Sequence, residues 1–125
     1  MKRILITAGD ITVSAELNES PTALRILEAL PIEAEANTWG EEIYFEIPVK
    51  AEQAPDARQD VEVGELGYWP MGSGFCIFFG RTPVSTGDKP RAYSPVNIIG
   101  RVTGDTAPLR TVRDGARVLI KRGMT

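Results

Sequence analysis

Leu66-Gly67-Tyr68-Trp69-Pro70-Met71-Gly72-Ser73-Gly74-Phe75-Cys76-Ile77-Phe78-Phe79-Gly80 is the stretch on which the fold of this 125-residue chain turns. An extended segment ends in Tyr68 and Trp69, a Pro70/Gly72/Gly74 turn follows, and five consecutive apolar residues then run from Phe75 to Phe79. An uninterrupted apolar run between glycines reads as a strand buried on both faces. It belongs at the centre of a sheet or in a barrel wall. The strand exits into residues 81 to 95, punctuated by Pro83, Gly87, Pro90 and Pro95, before a further strand at Val96 to Thr103. A long loop beside a central strand is a candidate functional surface.

Working outward, residues 2 to 7 and 11 to 17 read as a β-hairpin turning at Ala8-Gly9-Asp10; Ile11, Val13, Ala15 and Leu17 alternate with Thr12, Ser14 and Glu16. No G-x-G-x-x-G follows the first strand, which argues against a dinucleotide-binding domain. One helix is expected, with Ser20 as N-cap, Pro21 at its first position, Leu24, Leu27 and Leu30 on its packed stripe and Pro31 at its end. A second hairpin pairs Ile32, Ala34 and Ala36 with Ile43, Phe45 and Ile47 through a bend near Trp39-Gly40. Residues 51 to 60 read as a loop, with Val61 and Val63 either a short strand or a brace. The chain closes with a helical turn at Leu109 to Arg113, an Asp114-Gly115 turn and a strand at Ala116 to Lys121. The whole chain, residues 1 to 125, is expected to form a single mostly β domain: a closed antiparallel barrel of about eight strands with one main helix and a short C-terminal helical turn.

Composition narrows the chemistry. A formal charge of −3 gives no electrostatic case for nucleic acid. Ile4-Leu5-Ile6 is too short for a signal peptide or a membrane span, so no membrane partner is expected. With Cys76 the only cysteine, no internal disulfide can form, and a cytoplasmic location is the expectation. The chain contains no histidine, which removes Ser-His-Asp and Cys-His arrangements and the common zinc sites. No metal or cofactor is expected, and proton transfer at neutral pH would fall to a tuned Asp, Glu, Lys or Tyr.

The order of pieces resembles the cyclophilins, and within them the small prokaryotic cyclophilin-like proteins that diverge from the true peptidyl-prolyl isomerases. Ser20-Pro21-Thr22 opens the helix, and Ile43-Tyr44-Phe45-Glu46-Ile47-Pro48 stands where that family reads F-H-R-V-I-P. Ile77-Phe78-Phe79-Gly80 resembles Q-F-F-I, and Ile99-Gly100-Arg101-Val102 resembles F-G-K-V. Asn37-Thr38-Trp39-Gly40-Glu41-Glu42-Ile43-Tyr44-Phe45 and Gly67-Tyr68-Trp69-Pro70 resemble the small proteins. The resemblance implies a barrel with a groove on its outer wall. It also implies loss of the isomerase set: the arginine position falls on Phe45, the F-x-x-Q-G-G segment has no counterpart in Val49 to Gln53, and the family tryptophan and histidine fall near Arg91 and Val96.

The expected ligand-binding residues are therefore Phe45, Tyr68, Trp69, Phe79, Arg81, Arg91 and Tyr93, with no catalytic residue assigned. Tyr68 and Trp69 end a strand beside a Gly-rich turn, where they either contact a ligand or brace the barrel end. Phe78 and Phe79 point to opposite sides of the wall, and the resemblance sends Phe79 outward. Arg81, Arg91 and Arg101 bracket the long loop, where one of them could polarise an amide or simply be solvated. Glu42 and Glu46 read as a solvated strand face rather than a carboxylate pair, and Cys76 as an inert buried thiol. Three functions stay open: a module that holds a peptide segment or small ligand, an isomerase with a rearranged arginine, and an enzyme of another class that uses a carboxylate or tyrosine base.

Overall fold

The computed structural model describes residues 2–123. Its first hairpin joins β1 (Lys2–Ala8) to β2 (Ile11–Leu17), in register from Lys2 opposite Leu17 to Ala8 opposite Ile11, with Gly9 at φ 60° in the turn. Helix α1 (Pro21–Ala29) starts where Ser20 Oγ accepts from the Ala23 amide, and the cis bond Leu30-Pro31 follows it. Its buried face is Thr22, Ala23, Ile26 and Leu27, whereas Leu24 is exposed. The expected leucine stripe is thus rotated: Ala23, Ile26 and Leu27 have the i, i+3, i+4 spacing that meets a sheet, and the smaller Ala23 permits close approach.

After the helix come β3 (Ile32–Glu35), β4 (Asn37–Thr38), β5 (Glu42–Glu46), β6 (Arg58–Asp60), β7 (Glu65–Trp69), a 3-10 turn at Pro70–Gly72 and β8 (Gly74–Phe78). Then follow β9 (Arg91–Val102), a second 3-10 turn at Ala107–Thr111 and β10 (Arg117–Arg122). The expected hairpin between residues 32–36 and 43–47 is split. Ile32–Glu35 pairs with β10, and only Asn37–Thr38 turns back on β5, with Gly40 at φ 61° in the bend. Residues 51–60 are not wholly loop, since Arg58–Asp60 forms β6 against β9. Strand β9 also begins five residues earlier than the proline pattern predicts. Pro95 is tolerated because the ladder to β6 is irregular there, and Val96 and Asn97 begin the pairings that follow.

One antiparallel sheet runs β3-β10-β1-β2-β9-β7-β8-β5-β4, with β6 added alongside β9. Its hydrogen-bonded path has two ends and does not close, which corrects the expectation of a closed barrel of about eight strands. The end strands β3 and β4 are consecutive in the chain with only Ala36 between them, so the sheet curls until its edges share one segment. The concave side holds the main core, including Ile4, Ile6, Leu17, Ile26, Phe45, Tyr68, Phe75 and Ile120. A second, smaller cluster lies on the convex side, where Cys76, Phe78, Val61, Ala92 and Val96 pack together. Strand β8 is buried at all five positions because it feeds both clusters, as its apolar run predicts.

Candidate functional site

The second cluster exists because the chain from residue 81 returns across the convex face of β7, β8 and β5 before β9 enters the sheet. Gly67 makes that return possible: a Cβ there would lie 2.8 Å from Val96 Cγ2 and 3.2 Å from Phe78 Cε2. The overlying strand leaves a cavity of about 360 Å³ at one end. That volume falls within the range of small-molecule sites.

Its walls are aromatic. Trp39 precedes the β4–β5 bend, Tyr44 stands on the convex face of β5, and Trp69 ends β7. Tyr93, two-thirds exposed, forms the lip between the two tryptophans, edge-on to each with ring centroids 6.2 Å apart. The Trp69 indole N–H donates to Ser94 Oγ at 2.7 Å, which fixes its ring and ties β9 to the end of β7. Cys76, Ala92 and Val96 supply the apolar floor.

Glu42 also lines this cavity, and it is the feature that composition concealed. The residue is only 5% exposed, and its Oε1 is buried with no hydrogen-bond partner. Burial pushes its carboxyl up to about 7, with the adjacent Cys76 thiol acting in the opposite direction. The Cys76 thiol is itself raised well above its ordinary value, first by burial and then by the neighbouring carboxylate. That agrees with reading it as unreactive at neutral pH. Glu42 and Glu46 do not form one solvated face: Glu46 is exposed at the strand end, while Glu42 lies under the returning chain. The missed signal lies on the paired strand β8. A strand buried on both faces requires cover on the convex side, and that cover extends to the neighbouring strand β5, where Glu42 stands opposite Phe78.

The seven residues singled out from sequence divide by face. Trp69 and Tyr93 line the cavity. Phe45 does not: it is fully buried in the main core and stacked on Phe75 at 5.2 Å, because odd positions of β5 face inward. Phe79 belongs to that core as well, and Phe78 takes the convex side, reversing the expected assignment. Tyr68 is in the core, its hydroxyl donating to the Val49 carbonyl at 2.6 Å and accepting from the Ala51 amide. Arg81 is exposed and reaches the Ser85 carbonyl at 3.4 Å. Arg91 bonds Asp60 and Gln59 on β6, and neither arginine lines the cavity.

A larger depression of about 680 Å³ lies at the start of α1, bordered by Arg25, Lys50, Tyr68 and Asn97. Three of its polar side chains, Asn97, Arg25 and Lys50, are engaged within the protein. Asn97 bonds Thr22, Glu52 and Ala54, Arg25 bonds the Lys50 carbonyl, and Lys50 bonds Ser73. Among the described residues no group of three or more His, Cys, Asp or Glu side chains is placed to hold a metal ion. No helix among them is long and apolar enough to cross a membrane.

Residues 2–121 match the family described as cyclophilin-like. A solution structure of the hypothetical protein AF2241 from Archaeoglobus fulgidus is 40% identical, with a TM-score of 0.84 over 98% of this chain and 95% of that one. A structure of McbB in complex with tryptophan has a TM-score of 0.68 at 18% identity, over 98% of this chain and 46% of McbB, a likeness of fold alone. No curated protein matches. A match across nearly the whole chain, together with a 40% identical relative of the same architecture, places this protein in the cyclophilin-like family.

Proposed function

We propose that this protein is a cyclophilin-like binding module that holds a small ligand in the convex-face cavity walled by Trp39, Tyr44, Trp69 and Tyr93. One observation carries the reading: four aromatic rings converge on a cavity that is also lined by Glu42, a carboxyl whose buried Oε1 has no hydrogen-bond partner. Buried polar groups are normally satisfied, so an under-satisfied carboxyl in the wall of a cavity marks a place for a ligand atom. The volume of about 360 Å³ favours a small molecule over a peptide segment. The absence of Arg81, Arg91 and Arg101 from the lining weighs against an arginine-assisted isomerase.

Both tryptophans of the chain line this cavity, so their two indole N–H resonances report on it selectively. In a fragment screen by 1H-15N NMR, binders are expected to shift both signals. Binders that instead move only resonances around Tyr68 and Asn97 would transfer the function to the α1 depression. A protease-coupled proline isomerisation assay is expected to give the uncatalysed rate. A second reading, a carboxylate-based enzyme, draws on the same Glu42, since a carboxyl titrating near neutrality suits general acid–base work. It would be favoured if a bound fragment were chemically turned over and Glu42→Gln abolished turnover but not binding.

A further inference from the structure

The chemistry of the cavity narrows its ligand further, given that the cavity is a binding site. Aromatic faces attract cations through the ring quadrupole, most strongly where water is excluded. Trp39, Trp69 and Tyr93 line the cavity, with Tyr93 edge-on to each tryptophan, and Tyr44 adds a fourth ring. Beneath them, Glu42 offers an acceptor that nothing in the protein satisfies. A neutral apolar ligand would leave that oxygen buried and unpaired, and an anion would oppose the carboxylate outright. A cation carrying an N–H would meet both demands at once, its charge among the rings and its proton shared with the Glu42 carboxylate.

We infer that the cavity selects a small organic cation with at least one N–H donor, an arylalkylamine or amidinium type of molecule, with Glu42 as its counter-ion. No lysine or arginine lines the cavity to compete for that carboxylate. The titratable groups facing Glu42 are Cys76 from β8, Tyr44 from β5 itself and Tyr93 from β9. None of them carries a positive charge, so among the described residues no lining group competes with a cationic ligand for Glu42. Because burial holds the Glu42 carboxyl near neutrality, uptake of a cation requires release of its proton. Binding should therefore strengthen as pH rises through about 7.

The probes are 2-phenylethylamine, 2-phenylethanol and 3-phenylpropionate, which share a ring and differ in charge; none contains an indole, so quenching of Trp39 and Trp69 fluorescence reads binding directly. At pH 8 the amine is expected to bind at least about tenfold more tightly than the alcohol, and the carboxylate most weakly. From pH 8 to pH 6 the amine should lose about tenfold in affinity, following the ionised fraction of Glu42, while the alcohol should hold level. In Glu42→Gln the amine preference and its pH dependence should vanish with alcohol binding retained, which also certifies an intact cavity. Equal binding of amine and alcohol in the native chain, or an amine preference that survives in Glu42→Gln, would overturn the inference while leaving the cavity a binding site. Failure of all three probes at millimolar concentration would remove both readings.

Discussion

Glu42 carries the sharpest consequences at the scale of a residue. Its proton is held more tightly in the folded chain, at about 7, than in the unfolded chain, at 4.5. Between those values the native state binds the extra proton, so this group lowers stability as pH rises from about 4.5 to 7, with no further change above that. The expected loss is at most about 3 kcal/mol. Glu42→Gln should remove that slope, so thermal melts at pH 5 and pH 8 should lie closer together in the variant than in the native protein. A variant with an unchanged slope would mean that the carboxyl is solvated. Tyr68 shows the opposite kind of polar burial, because its hydroxyl bonds both Val49 and Ala51 and is fully satisfied. Tyr68→Phe should cost about 1–3 kcal/mol in urea unfolding, since it leaves a carbonyl and an amide of the same loop without their partner.

At the scale of elements, the important device is the passage of the 81–95 segment and early β9 over the convex face of β7 and β8. It depends on Gly67, where any side chain meets Val96 and Phe78. Gly67→Ala should cost about 1–3 kcal/mol through overpacking. It should also lift Val96 away from the cavity floor, so that ligand affinity falls even in molecules that remain folded; paired denaturation and fluorescence titrations would check both effects. Helix α1, which contributes no residue to the cavity lining, offers a control. Ser20→Ala removes the N-cap bond to Ala23 and should cost about 1 kcal/mol without altering binding.

For the whole molecule, the fold is two apolar layers sharing one sheet: a large concave core and a small convex cluster beside the cavity. This separation predicts that stability and binding can be mutated apart. Phe45→Ala, in the concave core, should cost about 3–5 kcal/mol and leave the affinity of the folded fraction unchanged. Trp69→Ala, on the cavity wall, should shift the unfolding midpoint far less and abolish detectable binding. If Trp69→Ala proved the more destabilising of the two, the convex cluster would be part of the structural core and not a site.

Local rules were enough for the elements whose signals are local. The alternation of Ile11 to Leu17, the Ser20-Pro21 helix start, the Gly9 and Gly115 turns and the doubly buried Phe75 to Phe78 run depend only on neighbouring residues, and each stands where its pattern places it. Patterns also gave Trp69 and Tyr93 as residues of interest, although they could not bring them together. Which face of a strand receives cover is a non-local matter, and there sequence reading failed. Phe79 and Phe78 exchanged sides, Phe45 went inward, and Glu42, an ordinary polar residue of an alternating strand, was buried by a segment about 50 positions away in the chain. Partner choice was equally beyond local reach, so residues 32–35 paired with β10 at the far end of the chain instead of with β5. The sequence by itself determined a mostly β chain with one capped helix and a central strand needing cover on both sides. Only the tertiary structure decided that the cover reaches over Glu42 and leaves a cavity beside it, because the energy of a buried carboxylate depends on what surrounds it in space.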